Sequence, residues 1–133
     1  MIKCQGFRGY IASRAIRGER AAQHVQNLVI RDYAQRNSLK YNWSLVEYSM
    51  SGCYMMLESA LEELPKLDGI ILYSLFMLPK SRQYRRNIVD RILASETELH
   101  AAHENISIKN SQDAIKVEDI FLVDQFAATT TPV

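Results

Sequence analysis

Little in this chain could staple it, carry it through a membrane or draw it toward a polyanion. Only two of its 133 residues are cysteines. Cys4 and Cys53 lie far apart and form no CxxC pair, so neither a zinc site nor a disulfide framework is indicated, and both are expected as free thiols in a reducing compartment. Long hydrophobic runs are also missing. The longest, residues 69–78, is too short to cross a bilayer, and residues 1–10 lack the continuous apolar segment of a secretory signal. A cytoplasmic protein without membrane insertion is the expectation. Nor does one sign of charge prevail: 16 Lys and Arg face 15 Asp and Glu, a formal net charge of +1 with a pI near 7.8. Such a balance gives no global pull on nucleic acid, so any anion site has to be built locally. No internal repeat is present, and no low-complexity segment beyond a Thr-rich end. Nothing in the pattern calls for a cofactor or a metal.

What is present suits one core. At 47% hydrophobic and 23% charged residues, the chain is long enough for a single domain and too short for two comfortable ones. Four strand patterns alternate with four helical ones, which predicts an α/β fold: three layers, with a mostly parallel sheet of four to five strands flanked by helices. Strands are expected at residues 6–13, 41–48, 69–77 and 98–104. The third of these is apolar at nearly every position, as a strand covered on both faces should be, and Pro79 stops it. Helices are expected over residues 19–36, with Ala22, Val25, Val29 and Tyr33 inward, and before Pro65, with Leu57, Ala60, Leu61 and Leu64 inward. A third follows a Ser81 cap over residues 82–94, with Arg82, Arg85 and Arg86 on its surface. The last follows Asn110 and Ser111, with Ala114, Val117 and Phe121 inward. Residues 1–126 form the domain, and residues 127–133, without periodicity, are expected as a disordered tail.

Several of these parts together resemble the N-terminal catalytic domain of serine recombinases, the resolvases and invertases. They are Gly9-Tyr10-Ile11-Ala12-Ser13, a helix with Gln26 and then Tyr33-Ala34, Ser51-Gly52 ahead of the second helix, the stretch from Asp68 to Ser81, and His103-Glu104-Asn105-Ile106. The resemblance covers roughly residues 7–107 and implies a resolvase-like, Rossmann-like topology. It does not extend to the chemistry. In that family the first strand carries a tyrosine, an arginine two residues on and the nucleophilic serine two further. Here Tyr10 fits, but Ala12 takes the arginine position and Arg14 the serine position, with Ser13 one residue early; a one-residue slip on a strand turns a side chain to the opposite face. The aspartate and arginine of the second family motif coincide with Phe76 and Met77, and only a later arginine has a basic counterpart, Lys80. An arginine expected after Ser51-Gly52 is replaced by Cys53, Tyr54, Met55 and Met56. Phosphoryl transfer needs cationic groups around the transferred phosphate, which Phe and Met cannot supply. Strand exchange, and nucleic acid as a partner, are disfavoured.

Longer strings are similar to the small sporadic carbohydrate cluster proteins encoded in bacterial surface-polysaccharide gene clusters. They include Ile16-Arg17-Gly18-Glu19-Arg20-Ala21, Gln23-His24-Val25-Gln26-Asn27-Leu28, Gly52-Cys53-Tyr54-Met55-Met56-Leu57, Leu64-Pro65-Lys66-Leu67-Asp68-Gly69-Ile70 and Val117-Glu118-Asp119-Ile120. This resemblance implies an accessory role in O-antigen or capsule synthesis beside other proteins of the cluster. Family analogy also implies a homodimer.

Loops leaving the carboxyl ends of parallel strands share one rim, so residues 13–20 should face residues 76–82. The rim would gather Arg14, Arg17, Arg20, Lys80 and Arg82 near Ser13 and Ser74, with Gly18 permitting close approach of a phosphate, sugar phosphate or nucleotide sugar. The alternative is ordinary surface arginine paired with Glu19 or Asp32. Candidate catalytic groups, should the protein be a small enzyme acting on a sugar or nucleotide sugar, are Tyr10, Ser13, His103 and Glu104. His100 and His103, three apart on one strand, would point to opposite faces and could not share a metal.

Overall fold

The computed structural model describes residues 6–50 and 52–130. Cys4, Ser51 and the last three residues of the expected tail lie outside the described residues. Five strands form one sheet, β1 (Phe7–Ala12), β2 (Tyr41–Glu47), β3 (Gly69–Leu72), β4 (Glu98–Ala101) and β5 (Ile106–Ile108), in the order β2-β1-β3-β4-β5. The first four run parallel, and β5 is antiparallel to β4. Helices α1 (Gln23–Arg36), α2 (Met55–Glu62), α3 (Arg82–Ala94) and α4 (Ser111–Thr130) complete a three-layer α/β fold.

Alternation along the central strands divides the core in two. Tyr10, Ala12, Ile70 and Leu72 point into the larger cluster, packed by Leu57 and Leu61 of α2, Ile88 and Ile92 of α3 and Val117 of α4. Phe7, Ile11 and Ile71 point the other way, onto Ile30, Tyr33 and Ala34 of α1. With both faces covered, β1 and β3 are buried at every position, β3 as its apolar run requires and β1 with Arg8 buried 3.5 Å from Glu63. Gly9 lets β1 approach β2: a Cβ there would overlap the Ser44 side chain and stand 3.0 Å from the Tyr41 ring.

The departures from the expected elements have local causes. β3 ends at Leu72 and the chain turns through a short 3₁₀ segment, Leu75–Met77, because the Ser74 hydroxyl accepts the Phe76 N–H at 3.2 Å and starts the turn. An apolar run alone does not separate strand from buried turn. Helix α1 begins at Gln23, four residues later than expected, since Ile16 and Glu19 pair in a tight hairpin. Its inward face is Gln26, Ile30, Tyr33 and Ala34, whereas Val25 is 40% exposed. The expected fourth strand stops at Ala101, so His100 lies in β4 while His103 and Glu104 sit in the β4–β5 turn. Ser81 does cap α3, accepting the Tyr84 N–H at 3.2 Å. Asn110 holds the start of α4 through the Asp113 N–H at 2.9 Å. That helix runs to Thr130, so residues 127–130 are helical where a tail was expected. Arg85, assigned to the surface from sequence, is buried: its guanidinium donates to the carbonyls of Pro79 (3.1 Å) and Lys80 (2.8 Å) and to both oxygens of Glu118.

Candidate anion-binding rim

The exit of β1 is fixed by two buried polar side chains: Gln26, which the sequence marked only as part of a family resemblance, and Glu47, which it did not single out. Gln26 accepts the Ala12 N–H at 3.1 Å and donates to the carbonyls of Ala12 (2.5 Å) and Ala21 (2.9 Å), so the strand's last peptide is satisfied inside the protein. Glu47, at the end of β2, accepts the Tyr10 hydroxyl at 2.7 Å and the backbone N–H groups of Tyr48, Met56 and Leu57 at 3.0 to 3.1 Å. It therefore caps α2 from outside that helix. Burial, reinforced by Glu47, pushes the Tyr10 hydroxyl far up, and Tyr10 serves as a fully buried neutral donor. Burial by itself would raise Glu47 too, but its hydrogen bonds outweigh that and hold the carboxyl below its usual range. A glutamate on the inward side of an alternating strand, just ahead of a helix, was the available signal.

Beyond Ala12, Ser13 is half-buried at a bend. Arg14 donates to the Cys53 carbonyl at 2.9 Å and lies 5.0 Å over the Tyr54 ring. It thus brings a guanidinium to the segment where the recombinase pattern has an arginine of its own. Ile16 and Glu19 exchange backbone hydrogen bonds of 2.7 and 3.0 Å around Arg17 and Gly18, with φ of 53° and 81°. Two successive positive φ values match the mirror-image hairpin turn that fits strand twist. Gly18 adopts this freely, while a side chain in the left-handed region costs Arg17 about 1 kcal/mol or more.

That arginine is tightly engaged. Its guanidinium pairs with Asp124 of α4 at 2.6 Å and lies 4.4 Å over the Phe76 ring, and Phe76 in turn packs 5.2 Å from Phe121. Arg82 stands 3.8 Å from Glu118, while Arg20 and Lys80 are exposed. The inward face of α4 thus carries Glu118, Phe121 and Asp124 at intervals of three, a carboxylate, ring, carboxylate pattern that sequence analysis read only for its apolar members.

At the exits of β3 and β4, Glu104 accepts the Ser74 hydroxyl at 2.7 Å and the Leu75 N–H at 2.8 Å. Ser74 is buried, and this pair fixes the turn that carries Phe76. His103 is exposed, its ring 5.7 Å from Tyr73. Burial, with the nearby carboxylates of Glu104 and Glu19, raises the Tyr73 hydroxyl. The structure therefore joins Ser74 to Glu104, Arg17 to Asp124 and Arg82 to Glu118. Among the described residues no hydrogen bond links Ser13 to His103 or Glu104, and no His, Cys, Asp or Glu cluster could hold a metal ion. No helix among them is long and apolar enough to cross a membrane.

No protein-family model matches the chain, and no curated protein matches it. Solved structures do. The N-terminal catalytic domain of TP901-1 integrase superposes with a TM-score of 0.62 at 13% identity, covering 94% of this chain and 99% of that one. A resolvase family site-specific recombinase from Streptococcus pneumoniae gives 0.65 at 10% identity, covering 92% and 91%. The fold is that of a resolvase catalytic domain. Within this resolvase-like fold, Phe76 and Met77 serve packing: Met77 is 1% exposed in the core, and Phe76 contacts both the Arg17 guanidinium and the Phe121 ring.

Proposed function

We propose that this resolvase-like domain is a non-recombining accessory protein of bacterial surface-carbohydrate synthesis, cytoplasmic and homodimeric, that binds a sugar phosphate or nucleotide sugar at the carboxyl rim of its sheet. The observation that carries the non-recombining part is the packing of Phe76 and Met77, since neither can hold charge on a transferred phosphate. Exposed Arg20 and Lys80, half-buried Arg14 and the strained tip at Arg17 support an anion site. The carbohydrate setting is supported by the strings shared with the sporadic carbohydrate cluster proteins, and the dimer by exposed Ile115, Leu122 and Phe126 on the outer side of α4. Equilibrium binding to a panel of sugar phosphates and nucleotide sugars tests the site: saturable binding that Arg17→Asn and Arg20→Ala together remove is expected. Binding unchanged by both substitutions refutes it.

A second reading, a small sugar-directed enzyme, draws on the exposed His103 beside Glu104 and Tyr73. Turnover of such a ligand, lost in His103→Ala or Glu104→Gln, would favour it. A gel shift on duplex DNA, or a covalent adduct lost in Ser13→Ala, would instead restore strand exchange.

A further inference from the structure

The Arg17 tip combines three features that no other arginine among the described residues brings together. Its backbone sits in the left-handed region, at φ 53°, in a turn position where asparagine or glycine would rest without strain. Its guanidinium is stacked on Phe76, which orients it. And it already grips a carboxylate, Asp124, at 2.6 Å. An oriented guanidinium holding an oxyanion is the arrangement a phosphate-binding arginine adopts toward its ligand. Here Asp124 supplies that oxyanion.

The pair is not deeply buried, with side-chain exposures of 57% for Arg17 and 30% for Asp124, so solvent screens it and exchange of one oxyanion for another is inexpensive. Asp124 belongs to the more exposed end of α4, where Leu122 and Val123 are 57% and 67% exposed. The other half is anchored, by buried Val117 and by Glu118 bonded to Arg85. We infer that Asp124 is a built-in competitor at the Arg17 site: the end of α4 latches the rim shut, and a phosphate-bearing ligand binds by displacing that carboxylate and releasing the helix end. This rests on the reading of the rim as an anion site and adds the residue that regulates it.

Pyrophosphate is the probe, titrated by calorimetry into the full chain and its variants, each first checked for a native melt. Asp124→Asn should tighten binding about two- to fivefold, the range set by losing one partly exposed ion pair. Asp119→Asn, an equal change of charge on the outer side of the same helix, should leave affinity unchanged. In an Arg17→Asn background, which retains a residue suited to the turn, Asp124→Asn should have no effect, because the competition runs through Arg17. Saturating pyrophosphate should also speed amide exchange at residues 122–127 of the wild type. Binding that depends on Arg17 but is equal in the wild type and Asp124→Asn would leave the anion site standing and overturn the latch. Equal gains from Asp124→Asn and Asp119→Asn would reduce the effect to general charge and overturn it as well. No saturable binding by any variant would overturn the latch and the site together.

Discussion

Removing Glu47 should damage the fold more than removing any other charged side chain near the rim, and the size of the loss can be worked out. In Glu47→Ala five donors lose their acceptor: the Tyr10 hydroxyl, the N–H groups of Tyr48, Met56 and Leu57, and more weakly the half-buried Cys53 thiol at 3.7 Å. Tyr48 is exposed and Met56 half-exposed, so water can replace the carboxylate there, but Tyr10 and Leu57 are fully buried and stay unsatisfied. Two orphaned buried donors cost about 1–3 kcal/mol each. Relief of burying a carboxylate, at 2% exposure, offsets part of this, which leaves a net loss of about 1–5 kcal/mol. Tyr10→Phe removes one hydrogen bond to a charged group and should lose about 1.5–3 kcal/mol. The double variant should lose less than the sum of the two, by about 1–2 kcal/mol, because Tyr10→Phe removes one of the orphaned donors. Urea denaturation followed by circular dichroism measures all three. The pH dependence has a definite sign. The folded carboxyl lies below its usual 4.5, so its contribution is present above that value and is lost as pH falls through the folded pKa; Glu47→Gln should flatten this acid limb. A loss under about 1 kcal/mol in Glu47→Ala, or strict additivity in the cycle, would refute the capping role.

His100 offers a second pH test. It is buried between the Tyr33 hydroxyl (2.6 Å) and Glu98 (2.9 Å), and burial lowers its pKa despite the opposing pull of Glu98, so the unfolded chain takes up the proton first. Stability should fall as pH drops below the ordinary value of 6.5 toward the lower folded pKa, and melting curves from pH 8 to 5 should show that slope reduced in His100→Asn. Gly9→Ala should cost about 1–3 kcal/mol through overlap with Ser44, partly restored by Ser44→Ala in the same denaturation assay. Charged substitution of the exposed α4 residues, Ile115→Lys with Leu122→Lys, should turn a dimer into a monomer by light scattering and remove any concentration dependence of the melting temperature; a wild type already monomeric at high concentration refutes the dimer.

The parts of this structure legible in the sequence are those encoded by period. Alternation and apolar runs located β1, β2 and β3, and the three- and four-residue spacing of Leu57, Ala60 and Leu61 placed α2 with its inward face, while Leu64, expected on the same helix, is buried in the 3₁₀ turn that follows it. Ser81 and Asn110 marked helix starts because a short polar side chain before an apolar stripe has one economical use. Polar side chains turned inward were not legible. Gln26 took a core position that hydropathy assigns to Val25, since its amide is spent on the β1 backbone. Arg85 and Glu118 satisfy each other across two helices, a pairing with no local signature. The carboxylates that engage Arg17 and Arg82 were not legible either, because Asp124 and Glu118 come from α4, with no local signature near either arginine.

The dependence of these arginines on α4 has a physical basis in how that helix packs on the rim. Phe76 is held on one side by Arg17 and on the other by Phe121, and Phe121 also stacks beneath Arg85 at 3.9 Å. The ring at 76, the left-handed turn at 17 and the inward face of α4 therefore specify one another. A carboxylate at 76 would give up the ring contact with Phe121 and compete with Asp124 for the same guanidinium, so one substitution would not regenerate a charged centre. It would move a paired charge from α4 to β3's exit and loosen the helix. The Arg17 turn, the Phe76 ring and the inward face of α4 form one coupled unit, so a change at any of the three is expected to shift the other two.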